Sequence, residues 1–170
     1  VSGVSGGASM GVQTSAIINI LDDDSVLGYS LTSYSVSEGN AAATIEVVRL
    51  GGSAGEVTVN FATIAENGFL KATEGVDYTN SSGTLGFAAG VTSQTFTVNL
   101  ADDSVAEGNE TVLLTLANAA GQSGASAVIA SPVGTTTQTQ TNFGIAVLTI
   151  VDDELDAGNI GFTNATLTVS

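Results

Sequence analysis

The sequence predicts an all-β protein, and three observations carry that reading. Apolar residues alternate with polar ones at a period of two, as in Phe96, Val98 and Leu100 against Thr95, Thr97 and Asn99. Val, Ile and Thr, which suit a pleated, half-buried surface, dominate these runs. No apolar stripe at i, i+3, i+4, i+7 reaches helical length, and 21 glycines punctuate the chain between the alternating runs. At 170 residues there is enough chain for one domain with a real core, plus extensions.

Seven candidate strands follow in order. The first spans 29–37, where Tyr34 and Val36 alternate with Ser35 and Ser37. Gly39-Asn40 marks a turn before the second, 42–50, in which Ile45 and Val47 alternate but Val48 breaks the pattern. A bulge there, or a strand covered on both faces, is expected. After Gly51-Gly52, the third strand (56–64) sets Val57, Val59 and Phe61 against Thr58, Asn60 and Ala62. A long loop, 65–82, carries Glu74-Gly75-Val76-Asp77-Tyr78. The fourth and fifth strands, 83–88 and 93–101, flank the turn Ala88-Ala89-Gly90. In the sixth, 110–118, Val112, Leu114 and Leu116 alternate with their neighbours. Residues 119–141 are low in complexity, hold the only proline, Pro132, and read as a mobile excursion with room for an accessory hairpin. The seventh strand, 143–151, contains Ala146-Val147-Leu148-Thr149-Ile150-Val151. Short strands at this spacing read as an immunoglobulin-like Greek-key β-sandwich of about seven strands.

The chain also repeats itself. Ala16-Ile17-Ile18-Asn19-Ile20-Leu21 ends in Asp22-Asp23-Asp24, and the seventh strand ends in Asp152-Asp153-Glu154, an offset of 152 − 22 = 130 residues. The match continues from Tyr34-Ser35-Val36-Ser37 to Leu167-Thr168-Val169-Ser170. Residues 1–24 are therefore expected to be the last loop and strand of a preceding repeat. Residues 25–154 form a complete repeat, and 155–170 a linker and the first strand of a following one.

Charge narrows the chemistry. Two basic residues, Arg49 and Lys71, stand against 17 acidic ones, for a formal net charge of −15. Phosphate binding needs clustered Lys and Arg, so neither nucleic acid nor an anionic membrane surface is expected as a partner. No apolar run approaches the ~20 residues that span a bilayer, so no membrane insertion is expected of this segment. With no Cys and no His, disulfides, zinc sites and thiol or imidazole catalysis are unavailable. Carboxylate and carbonyl oxygens remain, and these suit hard cations such as Ca²⁺.

The densest acid lies at Asp102-Asp103-Ser104-Val105-Ala106-Glu107-Gly108-Asn109-Glu110, four carboxylates in nine residues between two strands. Carboxylates a few ångströms apart repel by ~1 kcal/mol per pair even in water, so such a loop holds a cation or keeps some acids protonated. The spacing is not that of an EF-hand, and the Gly-rich nonapeptide calcium motif is absent. A glycosidase pair would need aromatic sugar platforms, and there is no Trp; the chain is not expected to be an enzyme.

Four motifs together resemble the Calx-beta domain, found in sodium–calcium exchangers, in an integrin subunit and in large bacterial surface proteins. They are Tyr34-Ser-Val-Ser-Glu38-Gly, Gly75-Val-Asp77-Tyr78, the loop from Asp102 to Glu110, and Ile150-Val-Asp152-Asp153-Glu154. They occur in family order and span nearly the whole repeat. The resemblance implies more than one Ca²⁺ at one end of the sandwich, with ligands at Glu38, Asp77, Asp102, Asp103, Glu107, Glu110, Asp152, Asp153 and Glu154. Ser104 and Glu154 depart from the family pattern, each standing where a third Asp is common. The expected function is a calcium-binding structural repeat of a long extracellular or cell-surface bacterial protein. Its partners would be neighbouring repeats or copies of itself, head to tail. The alternatives are a subunit of an extracellular filament joined by strand exchange, and a calcium-sensing regulatory domain.

Overall fold

The computed structural model describes residues 17–19, 24–68, 70–122, 124–129 and 144–154. Among these, every regular element is a strand: β1 (Asp24–Tyr29), β2 (Ser33–Ser37), β3 (Ala42–Gly51), β4 (Val57–Ile64), β5 (Ser82–Phe87), β6 (Ser93–Asn99), β7 (Glu110–Gly121), β8 (Ser126–Ile129) and β9 (Ile145–Val151). They form a four-stranded sheet, β6-β3-β1-β8, and a five-stranded sheet, β2-β9-β7-β4-β5, packed as a sandwich. No helix among the described residues is long and apolar enough to cross a membrane.

Alternation places the core. Leu27, Ile45, Val47, Val57, Val59, Phe87, Val98, Val112, Leu114 and Leu148 are all fully buried. Each such side chain contributes ~1.5–3 kcal/mol of transfer free energy, enough in sum to hold two sheets together without disulfides. Phe61 of β4 stacks on Phe96 of β6 at 4.0 Å between centroids, so one aromatic pair bridges the two sheets.

Three departures from the sequence reading arise from strand pairing. The first predicted strand, 29–37, is two strands in different sheets: β1 pairs antiparallel with β3, and β2 pairs parallel with β9. The crossing at Ser30-Leu31-Thr32 is held by the Tyr34 hydroxyl, which donates to the Glu46 carbonyl at 2.9 Å and accepts from Leu31 N. Val48 sits in a β3 whose register with β1 and β6 is unbroken; it is half-buried on the outward row. The irregularity lies instead in β4, between Thr58 and Asn60 opposite β7.

The third concerns 119–141. β7 runs on to Gly121, and after a tight turn the chain joins the other sheet as β8, parallel to β1. It is therefore a sheet-to-sheet crossing and not a hairpin. Only glycine fits here, because a β-carbon on Gly121 would overlap the Ala125 carbonyl oxygen. Residues 130–141 of that excursion, 142–143 after it, and most of the flanking stretches read as parts of neighbouring repeats (1–16, 20–23 and 155–170) lie outside the described residues.

Strand direction gives the sandwich two distinct ends. β2 and β9 finish and β7 begins at one end, bringing Ser37, Val151 and Glu110 together. At the other end Arg49 is buried and donates to Ser25 Oγ (2.9 Å) and to the carbonyls of Gly52, Ala54 and Gly55 (3.0–3.1 Å). That end is not free of acid, since Asp24 opens β1 beside Gly52 and Glu56 precedes β4. Four carbonyl and hydroxyl oxygens around one guanidinium fix the β3–β4 turn.

Candidate metal centre

Four separated segments deliver carboxylates to the first end. Glu38 follows β2 and is fixed when its N–H donates to the Val151 carbonyl at 3.0 Å. Asp152, Asp153 and Glu154 follow β9 directly. Glu110 opens β7, and the residues before it, 101–109, form the acidic loop. Asp77 belongs to the β4–β5 connection, where Tyr78 bridges to Leu100 and the Asp77 carbonyl accepts from Ala101 N at 2.9 Å. Through that bridge, a residue distant in sequence comes to lie beside the loop.

These carboxylates form three groups, each with oxygens within 4.8 Å of one another: Glu38, Asp152 and Glu154; Asp77, Glu107 and Glu110; and Asp102, Asp153 and Glu154. Glu154 belongs to two of them. Eight of the nine residues expected as ligands are thus brought together. Asp103 is in none of the groups; its Oδ1 accepts from Val105 N at 2.7 Å and shapes the loop.

Asp152 holds the centre together. Its Oδ2 accepts from Gly108 N (2.7 Å) and Glu107 N (3.1 Å), its Oδ1 accepts from Glu154 N (3.1 Å), and its own N–H donates to Asn109 Oδ1 (3.2 Å). Hydrogen bonds to the charged form, that of Gly108 first, hold its carboxyl below its ordinary range. Ser37 Oγ donates to Asp153 Oδ2 at 2.9 Å. Gly39 passes so close to that carboxylate that a β-carbon there would lie 2.6 Å from Asp153 Oδ2. Ser37 and Asn109 are supporting residues that do not stand out in the sequence as ligands. Both stand next to an expected ligand in the quoted motifs, and that adjacency is the signal the sequence offers.

Other acids are pushed the opposite way. Glu38 is buried, and its pKa rises to about 7, from desolvation first and then from the Glu154 carboxyl against it. Glu110 also rises to about 7, by burial first and then through Asp77. Glu107 is raised by desolvation and by the charges of Asp77, Asp103 and Asp152. Glu38 Oε1 and Glu154 Oε2 are buried with no donor in reach. Two carboxylates offer each other only acceptors unless one carries a proton, so these oxygens call for a proton or a cation. All the groups are hard oxygen donors, the set that suits Ca²⁺. Each Ca²⁺ takes ~6–8 oxygens, so three carboxylates, with one shared between groups, supply only part of a shell.

The fold has known counterparts. The apo form of the Calx CBD1 domain is 26% identical, with a TM-score of 0.60 over 76% of this chain and 98% of that one. The calcium binding domain CBD12 of CALX1.1 is 25% identical, with a TM-score of 0.58 over 75% of this chain and 44% of that one. The Calx CBD2 domain, at 13% identity and a TM-score of 0.61 over 75% of this chain and 86% of that one, shares the fold. The Calx-beta domain family profile matches residues 21–154. By sequence and by fold, this chain belongs to the Calx-beta domain family.

Proposed function

We propose that this chain is a calcium-binding structural repeat of a long extracellular or cell-surface bacterial protein, in which calcium rigidifies the repeat and its junction with the next. The observation that carries the reading is the convergence of three carboxylate groups at one end, with buried Glu38 Oε1 lacking any donor. Glu38, Asp152 and Glu154 would hold one ion, Asp77, Glu107 and Glu110 a second, and Asp102 and Asp153 with the shared Glu154 a third. Calcium would supply neutralising charge and bridging bonds. The protein's part is to hold the oxygens in place, which Asp152 does through backbone N–H groups. The role is mechanical and not catalytic.

The junction enters because Glu154, a member of two groups, is followed directly by the connection to the next part of the chain. Fixing Glu154 around ions fixes the direction in which that connection departs. Extracellular calcium is millimolar, so even weak sites would be filled there. Thermal unfolding with calcium and with chelator tests the reading, because only the folded state assembles these ligands. A melting temperature indifferent to calcium would sink it.

A second reading, a filament subunit joined head to tail by strand exchange, is favoured by Ile17 and Ile18, which stand 90% and 85% exposed within an apolar run. Such a run invites pairing with a sheet edge of another copy. Electron micrographs at millimolar calcium decide between the two, since dispersed particles exclude the filament. A calcium sensor would require micromolar dissociation constants, which calorimetry measures directly.

A further inference from the structure

Lys71 is one of two cations in the chain, and the other, Arg49, is buried at the opposite end of the sandwich. Lys71 sits at the acidic end, tied to the connection before it and to the start of β7. Its Nζ donates to Glu66 Oε2 at 2.8 Å and to Thr111 Oγ1 at 3.2 Å. Thr111 is the residue after Glu110. Its Oγ1 and its N–H both donate to the Leu70 carbonyl at 3.1 Å, and its carbonyl accepts from Ala72 N at 3.1 Å. Residues 70–72 thus form a short parallel bridge onto the start of β7. Leu70 adopts φ 64°, a left-handed conformation that costs a non-glycine residue ~1 kcal/mol or more and persists only where the surroundings enforce it.

The bridge matters because it leads straight to a ligand. Buried Ala72 opens into a tight turn that Asp77 itself closes, its N–H donating to the Thr73 carbonyl at 3.0 Å and its Oδ2 accepting from Thr73 N. The turn is pinned at one side to β7 through Thr111 and at the other to the end of β6 through Thr79 N and the Asn99 carbonyl, 2.9 Å. Asp77 and Glu110, two members of one carboxylate group, are therefore held in relation to each other by the contact between residues 70–72 and Thr111.

We infer that Lys71 and Thr111 form a clip that positions Asp77 against Glu110 and so sets the affinity of one metal site, that of Asp77, Glu107 and Glu110, without touching the ion. This rests on the calcium reading above. Electrostatics and positioning predict opposite signs. Removing a positive charge beside an anionic site strengthens cation binding by electrostatics alone. Loss of a positioning contact weakens binding, typically by about 10–100-fold where the contact orients a ligand.

The test is a calcium titration of the whole chain followed by amide resonances, comparing wild type, Lys71→Ala, Lys71→Arg and Thr111→Val. In Lys71→Ala the midpoint reported at Asp77 and Glu110 should move to about tenfold higher calcium, while that at Glu38 stays where it was. Thr111→Val removes the hydroxyl with no change of charge and should behave like Lys71→Ala, which keeps the test open if the alanine variant does not fold. Lys71→Arg should restore most of the loss. Tighter binding at every site in Lys71→Ala, or midpoints unchanged in both Lys71→Ala and Thr111→Val, would overturn the clip. Absence of any calcium response in the wild type would instead remove the calcium reading beneath it.

Discussion

Glu38 and Glu110 hold protons near neutral pH because each lies in a desolvated position against another carboxyl, Glu154 and Asp77 respectively. For each the folded pKa is about 7, above the ordinary value of 4.5. The unfolded chain therefore loses these protons first as pH rises. Without metal, the contribution of these two groups to stability is greatest below about pH 4.5 and is lost as pH rises through about 7, while that of Asp152, whose carboxyl is held low, has the opposite sign. Calcium requires the deprotonated form, so its affinity should fall as pH drops below about 7. At pH 6, calorimetry in buffers of different ionisation enthalpy should report up to about two protons released per chain on calcium binding, and close to none at pH 8.5. Glu38→Gln separates the two roles of the residue. In chelator at pH 8 the variant should melt higher than wild type, by about 2–4 °C for each kcal/mol of relieved repulsion, and in calcium it should gain less from the metal. A variant that melts lower in chelator would mean the carboxylate is not strained at this position.

The alternating runs were legible as strands because period two survives whatever the partner is: Phe96 and Val98 face inward whether β6 pairs with β3 or with another strand. Pairing itself was not legible. The stretch around 29–37 alternates acceptably at both ends, and only the pairing of β1 with β3 and of β2 with β9 divides it between two sheets. β8 is four residues, Ser126–Ile129, in a tract of small and polar residues, and its partner β1 lies about a hundred positions upstream. A local pattern carries no trace of such a partner. The turn that delivers β8 is sensitive to one glycine. Gly121→Ala should destabilise the domain by about 2 kcal/mol or more, read by denaturant unfolding, because its β-carbon meets the Ala125 carbonyl and the backbone there must move. Stability within a few tenths of a kcal/mol of wild type would show that the crossing from β7 to β8 adjusts freely.

Across the whole molecule, −15 is a charge that any dissolved salt will soften by screening. Sodium chloride should therefore raise the melting temperature modestly in chelator. Calcium at equal ionic strength should raise it much further, by an amount that grows with the logarithm of concentration, ~2.7 kcal/mol per site at a hundredfold excess over the dissociation constant. Equal effects of the two salts would reduce the acidic end to a solvated surface. Composition and pattern alone determined that the protein is all-β, that thiolate and imidazole ligands are absent and carboxylate oxygen abundant, and that acids gather at strand ends, since period, charge and the absence of Cys and His are properties of the chain. Which acids meet was decided by tertiary structure. Glu154 serves two groups and Asp103 none, although both lie in equally acidic stretches. Tyr78 pairing with Leu100 brings Asp77 across from another loop. Distances of a few ångströms between segments a hundred residues apart depend on strand register and on which strand crosses between sheets, and a one-residue slip of β7 would by itself turn Glu110 to the other face, away from Asp77 and Glu107.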